Sequence, residues 1–156
     1  MGTWGGLLSA LHRFQEGEQV LEECLVRARR VLGAGNDVTL HTMNSLAVTY
    51  HHLDGKEEEA EKLYLECLER RKEQRGESHP ETLQTMSNLA VLYTKEREFA
   101  KAEAMHVECW RRKREAQGEN HPETLTTMFN LGLAYEGQDS LVKLEQAEEV
   151  LEECVV

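Results

Sequence analysis

Proline is almost missing from the sequence: two residues in 156, which leaves long helices uninterrupted. Cysteine is sparse as well. Four cysteines are too few for a disulfide scaffold and fit a reducing compartment, so the expected location is the cytoplasm. No run approaches 18 apolar residues, which excludes a membrane span in this sequence. The opening Met1-Gly2-Thr3-Trp4-Gly5-Gly6 lacks the basic stretch and long apolar stretch of a secretory signal. Positive charge is in deficit. Lys plus Arg total 18 against 29 Asp plus Glu, a formal net charge of -11, and phosphate recognition needs a basic footprint. Nucleic acid and membrane are therefore not expected partners. No Cys-x-x-Cys pair, no glycine loop after a strand and no nucleophile beside a base is present, so neither catalysis, cofactor nor metal is expected. What remains, 40% hydrophobic and 30% charged, suits a helical protein.

What is present is a repeat. Thr82-Leu83-Gln84-Thr85-Met86-Ser87-Asn88-Leu89-Ala90 returns 42 residues later as Thr124-Leu125-Thr126-Thr127-Met128-Phe129-Asn130-Leu131-Gly132. The same pattern sits 43 residues earlier, from Thr39-Leu40-His41-Thr42-Met43 to Ser45-Leu46-Ala47. Tyr50, Tyr93 and Tyr135 follow in register, and Cys24, Cys67, Cys109 and Cys154 are spaced by 43, 42 and 45. Both prolines close a recurring phrase, Gly76-Glu77-Ser78-His79-Pro80 and Gly118-Glu119-Asn120-His121-Pro122.

Each period holds two helices. Leu83, Met86, Leu89, Ala90 and Tyr93 make one apolar face at three- and four-residue steps. Ala60, Leu63, Tyr64, Cys67 and Leu68 make the face of the second helix, repeated by Ala102, Met105, His106, Cys109 and Trp110. Ser78-x-x-Glu81 and Asn120-x-x-Glu123 read as capping boxes, with proline in the first turn. Gly76 and Gly118 are placed to end the preceding helices. The predicted helices span 37–53, 56–75, 79–95, 97–117, 121–136 and 141–156.

A helix pair cannot bury its face alone, so stacked pairs share a continuous core. The expected organisation is a degenerate N-terminal repeat over 1–35, mainly its second helix, then repeats over 36–77, 78–119 and 120–156. The last carries an insertion near 138–142 and a truncated end. Gly5-Gly6 is expected to interrupt helix, and Val155-Val156 stops without a polar cap, which suggests a fragment of a longer array or self-association through uncapped ends.

The residues Leu46-Ala47-x-x-Tyr50, Leu89-Ala90-x-x-Tyr93 and Leu131-Gly132-x-x-Tyr135, each followed by Ala60, Ala102 or Ala147, resemble tetratricopeptide repeats. The Gly-x-x-His-Pro phrase and the 42-residue period resemble the long subclass typified by kinesin light chain. The resemblance implies an all-α fold, a right-handed α-solenoid of stacked antiparallel helix pairs, acting as a protein-binding scaffold. The sequence departs from the pattern at Gly33-Ala34-Gly35-Asn36-Asp37, which replaces Gly-x-x-His-Pro, and at Ser45, which stands where Asn88 and Asn130 stand. No run of heptads offers a coiled-coil dock for a motor chain.

With first helices lining the inside of a superhelix, their exposed stripes form a groove. The stripes are His41, Ser45, Val48 and His52; Gln84, Asn88, Val91 and Lys95; and Thr126, Asn130, Leu133 and Gly137. An Asn amide both donates and accepts, so it pairs with an extended peptide backbone without reading sequence. Val48, Val91 and Leu133 offer apolar contacts beneath side chains. The resemblance points to Asn88 and Asn130 as holders of peptide backbone; the alternative is that both bond neighbouring helices.

The other chemistry-bearing residues read as structural. Equivalent cysteines on neighbouring second helices should lie about 8–10 Å apart, beyond the roughly 7 Å limit for a disulfide, and fit as small buried side chains. His51 and His52 are adjacent and cannot form the i, i+4 pair of a metal site. His79 and His121 serve the turns before proline, and His106 is expected as a satisfied core residue. Arg70-Arg71-Lys72 with Arg75, and Arg111-Arg112-Lys113-Arg114, read as solvated clusters late in helices, paired with glutamates such as Glu66. The functional expectation is capture of an extended peptide. Three alternatives stay open: a kinesin light chain-like cargo adaptor, a regulatory array of a nucleotide-switch (NB-ARC-type) protein, and a purely structural self-assembling array.

Overall fold

A computed structural model describes residues 3–136, with side chains from Arg13 onward. The described residues form six helices and no strand: α1 Thr3–Leu32, α2 Asp37–His51, α3 Glu57–Arg75, α4 Pro80–Lys95, α5 Phe99–Gln117 and α6 Pro122–Glu136. They belong to two compact units, Met1–Gln74 and Arg75–Val156. The expected helix over 141–156, the insertion near 138–142 and the uncapped end lie outside the described residues.

In the first unit α1 packs on α2 through Leu25 and Ala28. The buried face of α2 is Leu40, Met43, Leu46, Ala47 and Tyr50, and α3 presents Ala60, Tyr64, Cys67 and Leu68. In the second unit α5 packs against both α4 and α6, and α4 also touches α6. Leu83, Met86, Leu89, Ala90 and Tyr93 are buried on α4, Ala102 and Cys109 on α5, and Met128, Leu131 and Tyr135 on α6. The predicted apolar stripes therefore form the core, except that Leu63, Met105 and Trp110 are only half-buried.

Helix starts are set by one rule used three times. The Asn36 side chain accepts from the Val38 N–H at 2.9 Å, and His79 and His121 accept through Nδ1 from the Glu81 and Glu123 N–H groups, each at 3.3 Å. This corrects the expected capping boxes. The caps are His79 and His121, one residue after Ser78 and Asn120. Proline fixes the reason: it fits the first helical position and holds the residue before it in extended backbone, which is the cap conformation. His79 has φ -66° and ψ 138° accordingly. Asn36, in the departing phrase of the first repeat, does the same work with a shorter side chain.

Helix ends use glycine as expected. Gly33, Gly76 and Gly118 have φ of 88°, 85° and 92°. At two of these junctions a buried threonine ties the new helix to the old one, whereas the equivalent hydroxyl of Thr124 has no hydrogen-bond partner among the described residues. Thr39 donates to the Gly33 carbonyl at 2.8 Å and Thr82 to the Gly76 carbonyl at 3.0 Å. Thr42, Thr85 and Thr127 donate to carbonyls four residues back. In two of the pairs a lysine at the start of the second helix sits over the tyrosine ring of the first: Lys56, just before α3, over Tyr50, and Lys101, in the first turn of α5, over Tyr93, both 5.1 Å from the centroid.

The N-terminal expectation needs one correction. Gly5-Gly6 does not interrupt helix; α1 runs unbroken from Thr3 to Leu32. A glycine costs a helix only about 0.5–1 kcal/mol relative to alanine, and no cap or proline competes there.

Candidate functional site

The candidate stripes occupy the first helix of each pair. On α2, His41, Ser45 and His52 are exposed and Val48 is half-buried. On α4, Gln84 and Lys95 are exposed while Asn88 and Val91 are half-buried. On α6, Thr126 and Leu133 are exposed and Asn130 is half-buried. Gly137 lies outside the described residues. The stripes thus stand beside the buried face of each helix without joining it.

Several stripe residues have partners the sequence did not show. Gln84 Nε2 donates to Asn88 Oδ1 at 2.9 Å, so the amide of Asn88 is oriented by a side chain one turn away. The His52 ring stacks on Phe14 of α1, centroids 4.8 Å apart and 25° between planes. His52 is the cap residue after α2, which also brings its ring to 5.2 Å from that of His51. Phe129 was missed. It is exposed on α6 beside the Thr126–Asn130–Leu133 stripe. The available signal was its register, because an aromatic stands there where the other repeats have Asn44 and Ser87.

The second helices correct three further expectations. Arg71 and Lys113 are not solvated: they are 2% and 3% exposed. Each follows the buried cysteine by four residues, so the apolar face of α3 and α5 continues into a buried cation. Lys113 lies 3.4 Å from Glu123 and donates to Ser87 Oγ at 3.4 Å. Of the other cluster residues, Arg70, Arg75, Arg111, Arg112 and Arg114 pair with glutamates as expected. Arg70 meets Glu66 at 3.2 Å, Arg112 meets Glu108 at 2.6 Å and also Glu77, and Arg111 lies between Glu108 and Glu115. Hydrogen bonds from Arg111 and Arg112 hold the Glu108 carboxyl below its usual range.

His106 is buried as predicted but not satisfied: neither ring nitrogen has a hydrogen-bond partner among the described residues. Burial, with the Lys113 charge, lowers its pKa to about 4. Cys67 and Cys109 are buried and donate to the carbonyls of Leu40 and Leu83 at 3.3 and 3.4 Å. Burial pushes the Cys109 thiol up against the opposing hydrogen bond from Ser87. A thiol held protonated is a packing group, not a nucleophile. Cys24 differs: it is exposed, with only Thr42 Oγ1 at 3.8 Å. Cys154 lies outside the described residues.

Among the described residues no group of three His, Cys, Asp or Glu side chains is arranged to hold a metal, and no helix is long and apolar enough to cross a membrane. Two clefts of about 430 Å³ lie in the first unit, one along α1 and one edged by Leu25, Leu46, Tyr50 and Leu63; no stripe residue lines either.

Comparison with known proteins agrees with this geometry. The chain superposes on BtubC (BKLC) from P. vanneervenii with a TM-score of 0.75 at 24% identity, covering 90% of this chain and 57% of that one. It superposes on a kinesin light chain-like protein of Podosopora anserina, built of nearly identical TPR-like repeats, with a TM-score of 0.82 at 20% identity, covering 96% of this chain and 72% of that one. A variant of that protein gives the same values. The chain thus spans little more than half of BtubC. No curated protein sequence matches it. The tetratricopeptide repeat profile matches residues 1–73 and 50–115, and with the stacked helix pairs in register it settles the family: the chain belongs to the tetratricopeptide repeat proteins.

Proposed function

We infer that the chain is a non-catalytic protein-interaction module that captures an extended peptide on the exposed faces of its first helices. Tetratricopeptide repeats generally mediate protein–protein contacts, and the family match supports the general reading. The observation that carries the specific one is the repeated stripe. At one register the helices keep an amide or hydroxyl (Ser45, Asn88, Asn130) and an aliphatic residue (Val48, Val91, Leu133) accessible beside buried neighbours. In the second unit α4 and α6 are in direct contact, so two such stripes belong to adjacent helices.

Each group has a role in that reading. The Asn88 and Asn130 amides pair with peptide backbone, which offers one donor and one acceptor per residue. Val91, Leu133 and Phe129 cover apolar side chains of the ligand. Affinity is modest, because a flexible peptide loses entropy on ordering. The test is Asn88→Ala with Asn130→Ala, assayed against a library of unstructured peptides. Capture is lost while helicity and melting temperature stay close to wild type. A large drop in melting temperature would show that the amides serve the fold.

A second reading, a kinesin light chain-like adaptor of the 42-residue subclass, is favoured by the fold-level likeness to BtubC and the Podosopora protein. Binding of a motor heavy chain by this chain would support it; failure to bind one, with peptide capture intact, would leave the general module.

A further inference from the structure

The helix α1 differs from α3 and α5 in what lies on its cysteine face. On those helices the face is closed by the first helix before it, and Cys67 and Cys109 donate to the carbonyls of Leu40 and Leu83. At the same register of α1, Cys24 is exposed, and Val20 and Val31 are 68% and 71% exposed. All three line the cleft of about 430 Å³ along α1. Val20, Cys24, Arg27 and Val31 follow one another at steps of four, three and four, the spacing of a helix-packing seam. Ala28 and Leu32 complete a mainly apolar lining around the Arg27 stem, and an exposed apolar cleft of this kind marks an interaction surface.

The charges along its outer edge select the occupant. Glu23 and Arg30 flank the stripe on the same side, the acid toward the N-terminus and the base toward the C-terminus. Glu23 pairs with Arg27 in its own helix, whereas Arg30 makes no ion pair among the described residues. Such a stripe is complementary to itself when reversed. We propose that a second copy of this chain lays its α1 antiparallel on this face. Val20 then faces Val31, Cys24 faces the Arg27 stem, and Glu23 of each copy meets Arg30 of the other, about a two-fold axis near Val26. The parallel arrangement sets Arg27 against Arg27 and is opposed by like charge. The surface is isologous, short and charge-edged, so the dimer is weak and dissociates on dilution.

This inference is independent of the peptide reading, since no stripe residue of the first helices takes part. Sedimentation equilibrium of the whole chain over a concentration series tests it. The wild type shows a reversible monomer–dimer equilibrium. Val20→Asp with Val31→Asp returns it to monomer with unchanged helicity, because both side chains are already exposed. Glu23→Arg raises the dissociation constant about tenfold. Adding Arg30→Glu in the same chain restores association, because the exchange rebuilds both reciprocal pairs. A wild type that stays monomeric throughout overturns the proposal and leaves the stripe to a different helix. So does association that survives the valine changes, or a charge exchange that fails to restore it.

Discussion

His106 shows what one residue contributes beyond its place in a pattern. The position belongs to the core of α5, and Tyr64 fills the same register of α3. Imidazole fits the space but finds no hydrogen bond there, so its charged form is penalised. In the folded chain its pKa lies at about 4, whereas the unfolded value is 6.5. Between those values the unfolded chain binds a proton that the folded chain refuses. This residue therefore favours folding fully above about pH 6.5. The contribution falls as pH drops and is lost by about pH 4, about 3 kcal/mol in all. Urea melts at pH 7 and pH 5 check this. His106→Leu shows a smaller drop between the two pH values than wild type; an equal drop would mean other groups carry the acid sensitivity. Lys113 makes the related point for charge. It lies in a run of four cations of which Arg111 and Arg114 are exposed, and its register with the buried stripe distinguishes it.

Single elements carry their own consequences. The turn between α2 and α3 places Gly55 two residues before the helix, at φ 80°; the turn between α4 and α5 places Arg97 there, at φ 63°. A side chain in left-handed backbone is strained and glycine is not, so Arg97→Gly should stabilise the second unit by about 0.5–1 kcal/mol. A thermal melt reads this directly, and a lowered midpoint would show that the Arg97 side chain holds the turn. Elements also show what the sequence made legible. Five helices were placed to within two residues, because apolar periodicity, proline and glycine mark them independently. The caps were misread because Ser78 and Asn120 are better cap residues than histidine in isolation, yet proline decides the frame. The N-terminus was misread because glycine weakens a helix without ending it. Of the site, the stripes were legible as positions, since helical spacing fixes which residues share a face. Their partners were not: the Gln84–Asn88 bond depends on side-chain rotamers, and the Phe14–His52 stack joins residues 38 apart.

At the scale of the molecule, one period of 42–43 residues organises everything the structure describes. Gly33, Gly76 and Gly118 end helices, Thr39 and Thr82 tie the next helix to the last, and Cys67 and Cys109 bond to the preceding first helix. The exposed stripe varies between repeats: His41 and His52 in one, Gln84 and Lys95 in the next, Thr126 and Leu133 in the last. That is the pattern expected of a scaffold that holds its backbone contacts constant and changes what surrounds them. The α1 stripe is a separate surface, so a variant that abolishes dimerisation should still capture peptide. Backbone amide chemical shifts, followed while a captured peptide is added to the labelled chain, test the central claim most directly. The account predicts shifts concentrated between Gln84 and Lys95 and between Thr126 and Leu133, with α5 nearly silent. Shifts concentrated on α5, or spread evenly over the chain, would contradict it.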